Sequence, residues 1–281
     1  MKNKLVFTNT CDGYYNAMDV HFTFACDNDC AFCIDKMYVK KCCKTNVEKM
    51  IAAVKKEKPD IMLVLGGEPF IYPDKLFSFV KAIRPFVKEL YITPTLPKVF
   101  IEDTKLTDSI ITLIDGLNIS IQSLNAEENN QILRAKYTHN RIDLMKEIVK
   151  KYPKKVRINL NLVKGGIDTK EKLNNILDYL DLIGTQKVKV NELQHTSENY
   201  ISYERMMNIE WPSPYAHGCQ TFLKHGGIEV LVKRACFVTE DTNKATFRDI
   251  FKILIQILFS YKRKKYRVLW EDGKITSNWR R

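Results

Sequence analysis

The stretch DVHFTFACDNDCAFC, residues 19–33, runs from an alternating apolar strand straight into three cysteines. A strand that ends in a loop rich in chemistry is the front half of a βα unit, and it sets the expectation for everything around it. Cys26, Cys30 and Cys33 stand at spacings of four and then three. Four thiolates would close a tetrahedral zinc site; three either leave a position open or call for a distant His or Cys to complete structural zinc. The chain has eight cysteines in 281 residues, and its start, MKNKLVFTNTCDGYY, is too polar for a signal peptide. A reducing cytoplasm is therefore expected, where clustered cysteines hold metal or do chemistry more often than they form disulfides.

After this stretch, strand and helix alternate. Thr45 and Glu48 read as a capping box opening a helix to about Lys56. IMLVL (61–65) is a short, wholly apolar strand of the kind buried in a parallel sheet. A helix over 74–87 precedes strand LYIT (90–93), and GLNISIQ (116–122) follows a short helical stretch. A helix over 140–151 leads to strand VRINLNLV (156–163). Asp168 and Glu171 read as a second capping box for a helix to Leu182, and KVKVNEL (187–193) is a sixth strand. Six βα units predict a partial (β/α)6 parallel barrel over residues 1–195, with its chemistry at the C-terminal ends of the strands.

Beyond 195 the alternation stops, and residues 196–281 read as an extension covering the barrel. ERMMNIEWPSPYAHGCQTFLKHGG (204–227) is expected to be irregular, and GIEVLVKRACF (227–237) to hold one more strand. An apolar helix over 246–262 is expected to bury itself against the barrel; docking to a membrane surface or partner is the alternative. Asp272-Gly273 predicts a closing hairpin turn. Residues 244–281 carry eleven Lys/Arg against three acids, so most of the net +12 sits in this tail. Such a tail could attract an anionic substrate or nucleic acid, the latter being the weaker reading. No apolar run reaches the length of a membrane span.

Each chemically notable group falls at a strand end. Gly66, Gly67, Glu68 and Pro69 follow the second strand, Ser120 ends the fourth, and Glu192 and Gln194 end the sixth. With these in view, the chain resembles the radical S-adenosylmethionine (radical SAM) superfamily over roughly residues 18–195. Its signature pair is a C-x3-C-x2-C loop with an aromatic, here Phe32, and GGEP after the second strand. The resemblance implies a [4Fe–4S] cluster on Cys26, Cys30 and Cys33. SAM chelates the free iron and is cleaved reductively to a 5′-deoxyadenosyl radical that abstracts hydrogen. A fourth thiolate would block that iron, so the set has to be one short. Gly66 and Gly67 would let backbone approach the methionyl end of SAM, and Phe32 would pack on the adenine side, with Glu68 and Pro69 completing that motif.

Within the superfamily the likeness points to the molybdenum-cofactor GTP cyclase and PqqE-like branch. NISIQSLNAEENNQIL places Ser120 at a SAM-contacting serine, VRINLNLVKGGIDTKE places Arg157 at a substrate-contacting basic position, and VNELQ places Gln194 at a SAM-contacting position, with Glu192 a further candidate for contacting substrate. That cyclase carries three C-terminal cysteines for a second cluster. This chain offers only Cys219 and Cys236 there, so a different substrate is expected. Packing or a spare thiol is the plainer reading of that pair; an auxiliary cluster with help from His217 and His225 is the sharper one.

The first functional expectation is an enzyme using a [4Fe–4S] cluster and SAM on a small molecule or peptide, reduced by a flavodoxin or ferredoxin. About eighteen residues precede the first strand and no cysteine-rich auxiliary domain is evident, which tilts the expectation toward a small molecule, nucleotide or sugar. The competing enzymatic reading is an activase that installs a glycyl radical on a partner. The non-enzymatic one is an iron–sulfur or zinc protein binding nucleic acid through the basic tail.

Overall fold

The computed structural model describes residues 6–7, 16–33, 35–36, 44–193, 198–209, 220–234 and 265–277. Gln194, Cys219, Cys236 and His217, with Cys11, Cys42, Cys43 and the expected helix over 246–262, lie outside the described residues.

The strands are β1 (Val6–Phe7), β2 (Asn16–His21), β3 (Ile61–Leu65), β4 (Glu89–Ile92), β5 (Gly116–Ile121), β6 (Val156–Leu162), β7 (Lys187–Glu192), β8 (Gln220–His225), β9 (Ile228–Lys233), β10 (Lys265–Leu269) and β11 (Ile275–Thr276). They form one sheet in the order β1-β8-β9-β7-β6-β5-β4-β3-β2-β10-β11. The run from β10 through β9 is parallel throughout, and antiparallel pairs finish both edges. Among the described residues the sheet stays open, and the expected partial parallel barrel is the fold. The six expected parallel strands gain β9 beside β7 and β10 beside β2. Residues after 195 thus join the same sheet at both ends.

Alternation along each strand sets the two faces. Met18, Val20 and Phe22, Met62 and Val64, Leu90 and Ile92, Leu117, Ile119 and Ile121, and Ile158 and Leu160 are all buried in one continuous apolar cluster. Helical residues join it at i, i+4 spacing: Met50 and Val54, Leu76 and Val80, Phe79 and Ile83, Met145 and Val149, Leu173 and Leu177. Each such side chain contributes about 1.5–3 kcal/mol of burial. The other face carries Asn118, Ser120, Asn159, Asn161, Lys189 and Asn191, a polar inner wall.

Several expectations need correction. The first helix, α1 (Val47–Glu57), is capped by Asn46, whose side chain accepts the Lys49 N–H at 3.0 Å. Thr45 instead donates to the Phe22 carbonyl, tying the helix entry to the cysteine strand. A later helix, Lys170–Leu182, is capped by Thr169 rather than Asp168. Asp168 accepts from the Gly165 N–H and pairs with Lys172. The helix expected over 74–87 is Pro73–Ile83 followed by a 3-10 turn, Arg84–Phe86, at Pro85. Part of the expected irregular segment is regular: Tyr203–Met207 is helical, and β8 pairs with β9 through the turn at Gly226-Gly227.

The Asp272-Gly273 turn forms as expected, with Gly273 at φ +86 and the Trp270 N–H donating to the Lys274 carbonyl. Its neighbour in the sheet has no local sequence signal. β10 lies parallel to β2, so fully buried Trp270 and Glu271 arrive at the end of the cysteine strand. The Glu271 carbonyl accepts the Asn46 N–H at 2.7 Å, joining this hairpin to the start of α1.

Candidate active site

The cysteine loop begins where β2 ends. The Phe22 N–H continues the ladder to the Leu65 carbonyl, after which the chain leaves the sheet. Neighbouring elements then hold it. Asn28 donates to Thr95 Oγ1 at 2.8 Å, the Asp29 N–H to the Leu133 carbonyl, and the Lys136 N–H to the Asp27 carbonyl. Cys33 N–H donates back to the Cys30 carbonyl, closing a turn that carries half-buried Phe32. Lys36 pairs with Asp29 and donates to the Cys30 carbonyl.

Cys26 is exposed as a residue, and Cys30 and Cys33 are half-buried. The protein around the sulfurs nevertheless pushes the Cys26 and Cys30 thiols up to about 12 and raises Cys33 too, with mutual repulsion adding to burial for Cys26 and Cys30. Among the described residues no three ligating side chains are already gathered as a closed metal set. Cys30 Sγ instead donates to the Leu133 carbonyl at 3.5 Å. The donor chemistry suits an iron–sulfur cluster: three soft thiols on one loop, within electrostatic reach of one another, that give up protons when metal arrives.

The glycine turn after β3 also answers a packing demand within the chain. Gly66 (φ +87) and Gly67 (φ +55) both need left-handed backbone. A Cβ on Gly66 would lie 2.5 Å from the His21 ring, and one on Gly67 would lie 2.4 Å from the Ala25 carbonyl and 2.5 Å from that of Thr23. The turn must be bare because the cysteine loop is stacked directly on it.

Glu68 is the hub of this contact. It is 0% exposed and accepts from the Phe70 N–H (3.1 Å), the Thr95 N–H (2.7 Å) and Thr95 Oγ1 (2.7 Å); its own N–H donates to the Ala25 carbonyl. Pro69 opens a short 3-10 turn, Pro69–Ile71. Burial outweighs these donors and lifts the Glu68 carboxyl to about 7. A raised carboxyl pKa means that the native protein holds this proton more tightly than the unfolded chain does. That contribution is full below the ordinary value of 4.5 and fades as pH rises through about 7. Over that window it is worth on the order of 3 kcal/mol. The melting temperature of the wild type should accordingly fall from pH 5 to pH 8 more steeply than that of Glu68→Gln.

Behind the glycines sits His21, 0% exposed. Its Nε2 meets Asp35 Oδ2 at 3.0 Å and its Nδ1 meets Glu271 Oε2 at 3.5 Å. Asp35 Oδ2 also accepts the Gly67 N–H at 3.1 Å. Burial works against the imidazolium, but the two carboxylates outweigh it and raise the His21 pKa. Phe24 and Trp270 flank the ring, with centroids at 4.1 and 5.3 Å.

The remaining sequence candidates divide. Ser120, half-buried near the end of β5, faces the inner wall, and its N–H donates to the Pro94 carbonyl. Arg157 is not brought to the cysteine end: it is the second residue of β6, beside Asn118 and the first residue of β7. Glu192 is turned to the segment after it, accepting the Tyr203 N–H at 2.8 Å. His225, a proposed partner for Cys219 and Cys236, pairs with Asp178 at 2.6 Å. His21, Asp35, Thr95 and Glu271 have no motif of their own; the one available signal was a histidine at an inward position of the strand entering the cysteine loop.

The profile of the radical SAM superfamily matches residues 20–180. The chain belongs to the radical SAM superfamily. Among solved structures, it is similar to Streptococcus suis SuiB bound to S-adenosylmethionine, with a TM-score of 0.60 at 14% identity over 93% of this chain and 60% of that one. It is similar to SuiB bound to the precursor peptide SuiA in the same way, with a TM-score of 0.60 at 15% identity over 93% and 59%. It also resembles anSMEcpe with bound AdoMet and Kp18Cys peptide, with a TM-score of 0.50 at 13% identity over 66% and 55%. The chain thus spans about 60% of the length of SuiB. At these identities the likeness is one of fold. No curated protein matches the chain. Among the described residues no helix is long and apolar enough to cross a membrane.

Proposed function

We propose that this radical SAM chain is an enzyme that uses SAM and a [4Fe–4S] cluster to abstract hydrogen from a peptide substrate in the cytoplasm, with a flavodoxin- or ferredoxin-like donor as reductant. The observation that carries the enzymatic reading is the three-thiol loop stacked on the Gly66-Gly67 turn at the C-terminal end of a parallel sheet. Cys26, Cys30 and Cys33 would hold the cluster, and Phe32, Gly66, Gly67 and Ser120 would border SAM, with Gln194 as a further SAM neighbour. Bound there, cluster and SAM supply a 5′-deoxyadenosyl radical.

The chain's own residues then orient and shelter. Glu68 fixes the loop after β4 against the cysteine loop through Thr95 and Asn28. The inner wall offers carboxamides that both donate and accept, as a peptide bond requires. Asn159, 9% exposed, has a buried Oδ1 with no hydrogen-bond partner among the described residues, so an incoming N–H could satisfy it. The peptide class is supported by this wall and by the fold shared with SuiB, one of whose structures holds the precursor peptide SuiA.

A second reading keeps the molybdenum-cofactor GTP cyclase likeness of NISIQS and makes the substrate a nucleotide or sugar. The two separate in one assay. Reconstituted enzyme with SAM and dithionite receives either a pool of synthetic peptides or a pool of nucleotides and sugars. Faster 5′-deoxyadenosine formation with peptides alone supports the first reading; acceleration only by the small molecules replaces it with the second.

A further inference from the structure

Arg141 opens the helix Arg141–Lys151 and is 1% exposed, one of the largest fully buried side chains among the described residues. Its Nε donates to the Thr95 carbonyl at 3.0 Å, its guanidinium donates to Asn130 Oδ1, and both terminal nitrogens reach the Tyr137 carbonyl at 3.4 Å. All three acceptors are neutral. Among the described residues no carboxylate stands within ion-pair distance. A cation buried with neutral partners alone is a costly arrangement, because hydrogen bonds return only part of the lost hydration.

What lies across the shell is the cysteine loop. Thr95 accepts from Asn28, two residues after Cys26. The helix carrying Asn130 ends at Leu133, whose carbonyl accepts from Cys30 Sγ and the Asp29 N–H. The stretch carrying Tyr137 is tied by the Lys136 N–H to the Asp27 carbonyl. Every group that Arg141 holds therefore belongs to a segment that holds the cysteine loop. Burial lowers the Arg141 pKa, while the charges of Glu68, Asp27, Cys30 and Cys26 act on it in the opposite sense. The guanidinium nonetheless stays charged.

We propose that Arg141 is a built-in counter-charge for the iron–sulfur site: fixed behind the cysteine loop, its guanidinium favours the reduced over the oxidised state of a cluster bound by Cys26, Cys30 and Cys33. The inference rests on the cluster assignment proposed above. Adding one electron to a thiolate-ligated cluster makes the site one charge more negative, and a fixed cation in a low-dielectric wall stabilises that state. Arg141 acts through the site as a positioning residue and touches neither substrate nor reacting atom.

The test is a redox titration. Wild type, Arg141→Gln and Arg141→Lys are loaded anaerobically with iron and sulfide and reduced stepwise with dithionite, with the reduced cluster followed by electron paramagnetic resonance. Arg141→Gln keeps a donor for the Thr95 carbonyl but loses the charge. Its reduced state should become about tenfold less favoured, a midpoint about 59 mV more negative for a one-electron couple. Arg141→Lys should stay near the wild type. If both variants shift alike, or neither shifts, charge has no part and the proposal is overturned. If Arg141→Gln cannot hold the cluster, Arg141→Lys decides: a wild-type midpoint supports the counter-charge, and loss of the cluster there too leaves Arg141 a structural fork only. A wild type that takes up no cluster overturns the site assignment and this proposal together, which separates that failure from the others.

Discussion

Gly67→Ala should abolish 5′-deoxyadenosine formation and lower the melting temperature by many degrees. The added Cβ would stand 2.4 Å from the Ala25 carbonyl oxygen and 2.5 Å from that of Thr23, both backbone atoms that cannot rotate away. It would also have to be carried at φ +55, which costs a non-glycine residue about 1–2 kcal/mol by itself. Overpacking adds about 1–3 kcal/mol more. Relief requires the loop bearing Cys26 to lift from the turn, breaking the Glu68 N–H to Ala25 carbonyl bond and displacing the ligand set. Thermal unfolding and an anaerobic turnover assay read the two consequences separately. A variant that melts and turns over like the wild type would show that the close stacking of loop on turn is not needed.

His21→Ala should be nearly as damaging, through charge rather than volume. The imidazole lies between Asp35 and Glu271, the latter 0% exposed, with both ring nitrogens facing carboxylate oxygens. Removing the central partner of such a buried set costs about 3–5 kcal/mol. Because the carboxylates raise the His21 pKa, the native protein binds this proton more tightly than the unfolded chain. The stabilisation is full below the ordinary value of 6.5 and is lost as pH rises through the raised one. The stability gap between wild type and His21→Ala should therefore be widest on the acid side of neutrality and narrow in alkali. A gap that stays constant with pH would mean that His21 acts by packing against Phe24 and Trp270 alone.

Both predictions depend on contacts that only partly show in the sequence. The parallel sheet was legible because IMLVL, GLNISIQ and VRINLNLV state their burial residue by residue, and turn residues mark their ends. The cysteine loop and the glycine turn were legible as motifs. The packing around the glycines was not. From sequence they suggest room for a ligand; their missing side chains also make room for His21 and for the carbonyls of Thr23 and Ala25.

Long-range pairing was hidden for a physical reason. β10 follows β2 by more than two hundred residues, and nothing local in YRVLW distinguishes the outer strand of a hairpin from a strand added to a parallel sheet. Glu271 therefore looked like one acid in a basic tail, when it is a buried partner of the histidine behind the glycine turn. Arg157 illustrates the converse. Its neighbours in sequence match a family segment, but strand direction puts it near the start of β6, away from the cysteine end. The caps differ by one residue each, Asn46 for Thr45 and Thr169 for Asp168, because adjacent capping residues compete and the chain's entry angle chooses between them.

In the proposed function, Cys26, Cys30 and Cys33 would hold a cluster with one iron left open to SAM. This assignment is tested most directly by loading the full chain with iron and sulfide without oxygen, adding SAM and dithionite, and measuring 5′-deoxyadenosine against Cys30→Ala. Product from the wild type and none from Cys30→Ala, with the variant still folded, is the expected result. A wild type that carries a full complement of iron and sulfide yet forms no 5′-deoxyadenosine, with or without the peptide and small-molecule pools, would contradict it.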